Sequence, residues 1–77
     1  MDARTKAVRN LLRNGSPAKA RALLESIGLP EREHNLVLWH DIQDKTLGSV
    51  ADMLGVCERQ AKTIHKEALN KIFDSLN

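Results

Sequence analysis

The chain has few of the residues that mark β-sheet, disulfide-bonded or membrane proteins. Its 77 residues include one tryptophan, one phenylalanine and no tyrosine, and no segment alternates apolar and polar residues over a useful length, which argues against a β-sheet. A single cysteine, Cys57, excludes an internal disulfide and a cysteine-rich metal site. No apolar run approaches the roughly 20 residues of a membrane helix, and the N-terminus lacks the apolar block of a signal peptide. We therefore expect a cytoplasmic protein without a membrane partner.

Signs of catalysis or of a bound cofactor are also scarce. A chain of this length buries only about 60% of its unfolded surface, which leaves little room for an enclosed active site. There is no glycine-rich phosphate loop, and His34, His40 and His65 lack a partner at the i, i+4 spacing of a helical metal site. We expect packing or surface histidines, solvated carboxylates at Asp41 and Asp44, no metal, no cofactor and no enzymatic activity.

Helix signals, in contrast, fill the chain. Apolar residues recur at helical spacing, and Gly, Pro or polar turns separate the segments in which they do so. Ser16 and Thr46 are suited to cap helices, and Gly28 and Gly55 to end them. The pattern predicts an all-α fold, a compact bundle of about five helices spanning roughly residues 2–14, 17–27, 31–42, 47–54 and 58–75. Helical spacing places Leu11, Trp39 and Leu76 on apolar, inward faces and Asn70 on the polar face of the last helix.

The last two predicted helices form a helix-turn-helix. They are separated by only three residues, and Ala51 is small where the helices must cross. In such a unit the second helix enters the major groove of DNA, where Arg59 can pair with guanine and Thr63 can contact a thymine methyl group. Lys62 and Lys66 can bind phosphates or guanine. The alternative from spacing alone is a helical hairpin with a solvated basic face.

Charge is unevenly distributed along the sequence. Residues 1–28 hold six basic and two acidic residues, residues 29–57 hold two basic and five acidic ones, and residues 58–77 hold four basic and three acidic ones. Basic ends and an acidic middle fit a domain with one side toward phosphates and another free for a different partner, although ordinary surface charge would look similar.

An ordered set of residues resembles the fourth conserved region of bacterial sigma factors. The set runs from Leu29-Pro30-Glu31-Arg32-Glu33 through Thr46-Leu47, Val50-Ala51 and Leu54-Gly55-Val56 to Ala68-Leu69 and Lys71-Ile72. The resemblance implies a helix-turn-helix that reads the promoter −35 element. It assigns base reading to Glu58, Arg59, Lys62 and Thr63, and it places Thr46 near a phosphate. Lys66 joins this set because it lies on the same helix face.

Three residues depart from the family pattern. Cys57 stands where the family has Ser or Thr, which cap helices better, and Gly48 stands where the family has a strong helix former. Glu58 replaces a basic residue of housekeeping sigma factors. Because a carboxylate can accept a hydrogen bond from cytosine, we expect a different sequence preference.

The resemblance also divides the chain. Residues 29–77 form the part similar to sigma region four, and residues 1–28 form a basic helical pair that could complete the core, dimerise or touch flanking phosphates. Nothing resembles the domain that recognises the −10 element, so we expect a standalone sigma-like regulator of bacterial or phage origin, or a fragment of a larger protein.

Two functions follow from these features. The first is sequence-specific binding of double-stranded DNA in transcription regulation, with a homodimer as one way to enlarge a small interface. The alternative is a protein-interaction module that binds RNA polymerase or a sigma or anti-sigma partner. Its working surface would be the acidic stretch 31–52 together with any apolar patch on the first two helices.

Overall fold

A computed structural model describes residues 3–76 and shows five helices. They are α1 (Ala3–Asn14), α2 (Pro17–Ile27), α3 (Glu31–Val37), α4 (Leu47–Leu54) and α5 (Glu58–Leu76). The part of the chain that the structure describes contains no strand, and none of its helices is long and apolar enough to cross a membrane. The prediction of an all-α bundle that contains a helix-turn-helix is confirmed.

The helix ends lie where the capping signals predict them. The Ser16 side chain accepts a hydrogen bond from the amide of Lys19, and the Thr46 side chain accepts one from the amide of Ser49, each at 3.2 Å. After α4 the chain turns at Gly55, whose φ of 72° lies in the left-handed region that favours glycine. This conformation brings the amide of Val56 within 3.0 Å of the carbonyl of Ala51 and closes the turn between α4 and α5.

The third helix differs from its prediction. Regular α-helix ends at Val37, and the chain continues as a π-helical segment, Leu38–Ile42, instead of an uninterrupted α-helix to residue 42. The amide of Gln43 donates to the carbonyl of Leu38 at 2.9 Å, five residues back. The His40 ring, whose Nδ1 is 2.7 Å from the carbonyl oxygen of Lys45, closes the end of the segment. No local residue preference signals this change.

Two apolar clusters form the core, and α5 contributes to both. The first joins α1, α2, α3 and α5 through Val8, Leu12, Ala20, Leu24, Val37, Ala68, Leu69 and Ile72. The second lies under the helix-turn-helix and consists of Leu36, Val50, Ala51 and Ala61, with Trp39 packed against it. Trp39 is half-buried and packs on the core, the side of the helix that its position on an apolar face predicts. The packing places α1 and α2 against the C-terminal half of α5 and α4 against its N-terminal half.

Some residues expected on one side of a helix lie on the other. Leu11 and Leu76, expected inside, are each 48% exposed. On α1 the inward row is Thr5, Val8 and Leu12, so Leu11 lies outside the contact face. Leu76 is the last residue of α5, past its buried positions. Asn70, expected on the exposed face of α5, is half-buried.

A buried carboxylate joins three helices. The side chain of Asp41 has no solvent exposure, and its Oδ2 lies 2.7 Å from Nε2 of His65 on α5. Its Oδ1 lies 3.4 Å from Nε of Arg9 on α1. The expectation that Asp41 is solvated is therefore wrong, because α1 and α5 cover the end of the π-helical segment. Asp44, beyond this cover, is exposed as expected.

A second buried carboxylate attaches α3 to α5. Glu33 is 6% exposed, and its Oε2 lies 2.8 Å from Nζ of Lys71. Its place in the first turn of α3 also suits the positive end of the helix dipole, as its sequence position predicts. Both inward carboxylates of the α3 region therefore have basic partners on α5.

Replacing Asp41 tests the three-helix junction. We expect Asp41→Asn to lower the free energy of unfolding by about 2 kcal/mol, because the substitution removes the buried negative charge that contacts both the His65 ring and the largely covered Arg9 guanidinium. In a domain of this size that change lowers Tm by roughly 10 °C in thermal denaturation followed by circular dichroism. Asp44→Asn is the matched control, since Asp44 is 84% exposed and its pair with Arg13 is weak. Equal melting temperatures for the two variants would contradict this account.

The first turn of α5 has a thiol cap. Sγ of Cys57 accepts the amide of Gln60 at 3.4 Å, and Oε1 of Gln60 accepts the amide of Cys57 at 3.3 Å. This reciprocal pair is the arrangement of a capping box, with sulfur in the place of a hydroxyl oxygen. Sulfur is the weaker acceptor, so the cap forms but is not optimal.

Substitution of Cys57 measures the strength of that cap. We expect Cys57→Ser to raise the free energy of unfolding by roughly 0.5 kcal/mol, and Cys57→Ala to lower it by about the same amount, because Ser is a strong N-cap and Ala offers no acceptor. Denaturant unfolding of the three proteins gives the order Ser, Cys, Ala. If Ala is as stable as Cys, the sulfur contact contributes nothing.

Candidate nucleic-acid interface

The helix-turn-helix presents one face of α5 outward. Ala51 and Ala61, 2% and 0% exposed, let α4 and α5 approach closely, and Val56 packs between them as a half-buried plug. Because these contacts cover the inner side of α5, its other side is available to a partner. The turn has the length and composition that the sequence predicts.

All six residues predicted to contact DNA are exposed. Five lie along α5 and the sixth caps α4, and they are Glu58, Arg59, Lys62, Thr63, Lys66 and Thr46. The spacing of Arg59, Lys62, Thr63 and Lys66 places them on one face of the helix. Glu58 is the first residue of α5, where its carboxylate also suits the helix dipole.

Two of these side chains make contacts within the protein. The Thr63 hydroxyl donates to the carbonyl of Arg59 at 3.3 Å. Thr46 donates to the hydroxyl of Ser49 at 2.8 Å and also accepts the Ser49 amide. Thr46 thus stabilises the start of α4, and the methyl group of Thr63 remains suited to apolar contact with a base.

Two grooves border the outward face of α5, one on each side. The first is lined by Arg32, Arg59, Gln60, Thr63 and Ile64, so that the beginning of α3 adds an arginine beside Arg59. The second lies toward α1 and the π-helical segment, and its polar lining consists of Thr5, Arg9, His40, Lys62, His65 and Lys66. The first groove is mixed in character, whereas most of the polar groups of the second are basic or imidazole.

Sequence reasoning missed Arg32 and Arg9 as members of this surface. In the sequence, Arg32 is only one residue of the segment that resembles the sigma family, and Arg9 is one of several basic residues on the first helix. Their proximity to α5 depends on how the helices pack. The only available signal was the excess of basic residues in the N-terminal part of the chain.

The structure also brings together three residues of metal-binding type. Within residues 3–76, His40, Asp41 and His65 are the group whose ligand atoms all lie within 4.8 Å of one another. His65 lies 24 residues after Asp41 and 25 residues after His40 in the sequence, so helical spacing could not reveal the group. The guanidinium of Arg9 faces the same carboxylate and would repel a cation. The group therefore fits an ion-pair network better than a metal site, and His65 is a packing residue, as predicted.

Comparison with known proteins identifies the larger part of the chain. The family model for region 4 of sigma-70 matches residues 28–74. No curated protein and no solved structure matches the chain. Sigma-70 region 4 is a helix-turn-helix DNA-binding region in transcription initiation and is not an enzymatic family. The matched residues include α3, α4 and nearly all of α5, together with the turn described above, and the chain belongs to the sigma-70 region 4 family.

Proposed function

We propose that this protein binds double-stranded DNA sequence-specifically and regulates transcription, with α5 in the major groove. The observation that carries the proposal is the exposed row Arg59, Lys62, Thr63 and Lys66 on the second helix of the helix-turn-helix. A helix in this position presents its first turns to base edges. The buried opposite side holds the row in a defined orientation.

Each side chain has a role that follows from its chemistry. Arg59 can donate two hydrogen bonds to guanine, and Glu58 can accept one from the amino group of cytosine. Thr63 can contact a thymine methyl group. Lys62 and Lys66 can bind phosphates or guanine, and their phosphate contacts supply much of the affinity, while Thr46 brings the start of α4 to the DNA backbone.

RNA polymerase is a second proposed partner, since sigma region 4 binds it as well as DNA. The acidic surface suggested for such a contact is smaller than the sequence indicates. Glu33 and Asp41 are buried in ion pairs, so the exposed acidic residues of this stretch are Glu31, Asp44 and Asp52. The basic face of α5 is the stronger feature, and we therefore place DNA first. The homodimer gains no support from the comparisons and stays a prediction.

The first test measures binding to a randomised DNA duplex by fluorescence anisotropy over a series of salt concentrations. We expect Lys62→Ala/Lys66→Ala to weaken binding and to reduce the slope of log K against log salt by up to about 2, because each lost phosphate contact removes about one unit. Lys19→Ala/Arg21→Ala, on exposed positions of α2, removes the same charge and should leave the slope unchanged. If the native protein does not bind at low salt, the proposal fails.

Sequence reading is tested at Arg59 after site selection from the random pool. We expect Arg59→Ala to weaken binding to the selected site by about 1–3 kcal/mol and to relax the preference at one base pair, because a bidentate contact with guanine is lost. Lys66→Ala should weaken binding to the selected site and to random duplexes by the same factor. An unchanged base preference in the Arg59 variant would assign base reading to other residues.

A further inference from the structure

The basic face of α1 adjoins the face of α5 that we assign to DNA. Lys6, Arg9, Asn10 and Arg13, here called the α1 stripe, line one continuous depression along the first helix. We propose that the α1 stripe is a second DNA-contacting surface, which holds backbone phosphates beside the recognition helix. This inference rests on the proposed function, because it concerns the same bound duplex.

The α1 stripe is a regular feature of the helix. Its members follow the i, i+3, i+4, i+7 spacing that collects side chains on one face. The other side of α1 is held by Val8 and Leu12, which are 1% and 3% exposed in the core. A helix fixed along its apolar side holds the backbone of its polar side in place, so only the side chains of the stripe need ordering when a phosphate binds.

Arg9 connects the stripe to α5. It lines the α1 depression and also the groove that contains Lys62 and Lys66. Thr5, which is buried, the ring of His40 and the apolar side chains of Leu47 and Leu69 line the same groove. The two surfaces therefore adjoin at Arg9, and their cations form one band, which starts on α1 and ends on the recognition helix. Phosphate oxygens are the groups that such a band binds.

The other end of the stripe lies near the beginning of α4. An Nη atom of Arg13 lies 3.7 Å from Oδ1 of Asp44, two residues before the cap residue Thr46. The start of α4 is the part of the helix-turn-helix that we expect near a phosphate. The stripe thus extends from the side of α5 toward the other proposed phosphate contact.

The position of the band also fits the shape of DNA. The major groove is about 12 Å wide and admits one helix, so a helix within it has a phosphate backbone on each side. Arg32 and Arg59 share the groove on one side of α5, and the α1 stripe lies beyond the groove on the other. Each flank of the recognition helix therefore has cations for one backbone.

Acidic neighbours reduce the charge of the band only in part. The carboxylate of Asp41 is buried between Arg9 and His65 and is not presented to solvent. Asp44 is exposed, and its pair with Arg13 is long and solvated, so a phosphate can compete for the guanidinium. Residues 3–14 lie outside the match to sigma-70 region 4, which covers residues 28–74. The proposed contact therefore lies outside the part of the chain that the family model covers.

The experiment compares three double variants by the slope of log K against log salt, measured on one random duplex. We expect Lys6→Ala/Arg13→Ala to reduce this slope by about 1–2. It should also weaken binding to selected and random duplexes by the same factor, because phosphate contacts carry no sequence information. Lys19→Ala/Arg21→Ala removes equal charge from α2 and should keep the native slope. Lys62→Ala/Lys66→Ala reports on the recognition helix itself.

The variants separate the two proposals. If Lys6→Ala/Arg13→Ala keeps the native slope while Lys62→Ala/Lys66→Ala flattens it, the α1 stripe does not touch DNA and the proposed function stands. The same is concluded if the stripe variant instead loses binding to RNA polymerase alone. If the Lys62/Lys66 variant also keeps the native slope, or the native protein does not bind, the proposed function fails and the inference with it.

A variant that is expected to strengthen binding controls for loss of folding in the variants that weaken it. Asp44→Asn removes the acidic neighbour of Arg13 and should strengthen binding about twofold to fivefold at low salt, with no change in Tm. Lys6→Gln/Arg13→Gln replaces both cations with good helix formers and should match the alanine pair. Weaker or unchanged binding by Asp44→Asn, with native binding by the glutamine pair, would overturn the α1 contact.

Discussion

The carboxylate of Asp41 meets Arg9 of α1 and His65 of α5 at the end of the π-helical segment, and the arrangement of the helices depends on this junction. A carboxylate without solvent exposure requires basic or hydrogen-bonding partners. Those partners come from helices that lie 32 residues before and 24 residues after it in the sequence. The junction therefore selects one relative placement of α1 and α5 from the many that apolar packing alone would allow.

The same junction connects structure to the proposed DNA surface. Arg9 contacts the buried carboxylate and also lines the groove shared with Lys62 and Lys66. His65 is buried one turn after Lys62 and lines the same groove as Lys62 and Lys66. Because α5 belongs to both core clusters, its exposed side is held as firmly as its buried side, and a rigid recognition helix loses little entropy on binding.

Of the three departures from the family pattern, Cys57 and Gly48 concern the stability of the helices, and Glu58 concerns the preferred DNA sequence. Cys57 and Gly48 are both at the helix-turn-helix, one as a weaker cap and one as a poor helix former. The structure compensates for the cap with the reciprocal Gln60 contact. Glu58 has no such structural task beyond the helix dipole, which leaves its carboxylate available to alter base preference. The helix-turn-helix thus keeps its fold despite a weak cap and a poor helix former, because both of its helices pack on the second apolar cluster.

Local signals in the sequence determined the helices, their caps and the face of α5 that points outward. Ser16, Thr46 and Gly55 act through neighbours within a few residues, so their effects can be predicted from the chain alone. The exposed positions of Arg59 and Lys62 followed from helical periodicity in the same way. The family pattern added the function that we propose for this face.

Tertiary structure decided which distant groups meet. It buried Asp41, which local context marks as a solvated residue next to a turn, and it placed the histidines His40 and His65 with ring centroids 5.1 Å apart. It also brought Arg9 beside α5 and ended the regular part of α3 at Val37. Periodicity reports which side of a helix is apolar but not which helix covers it. The long-range electrostatic contacts of this protein depend on which helix covers each apolar side.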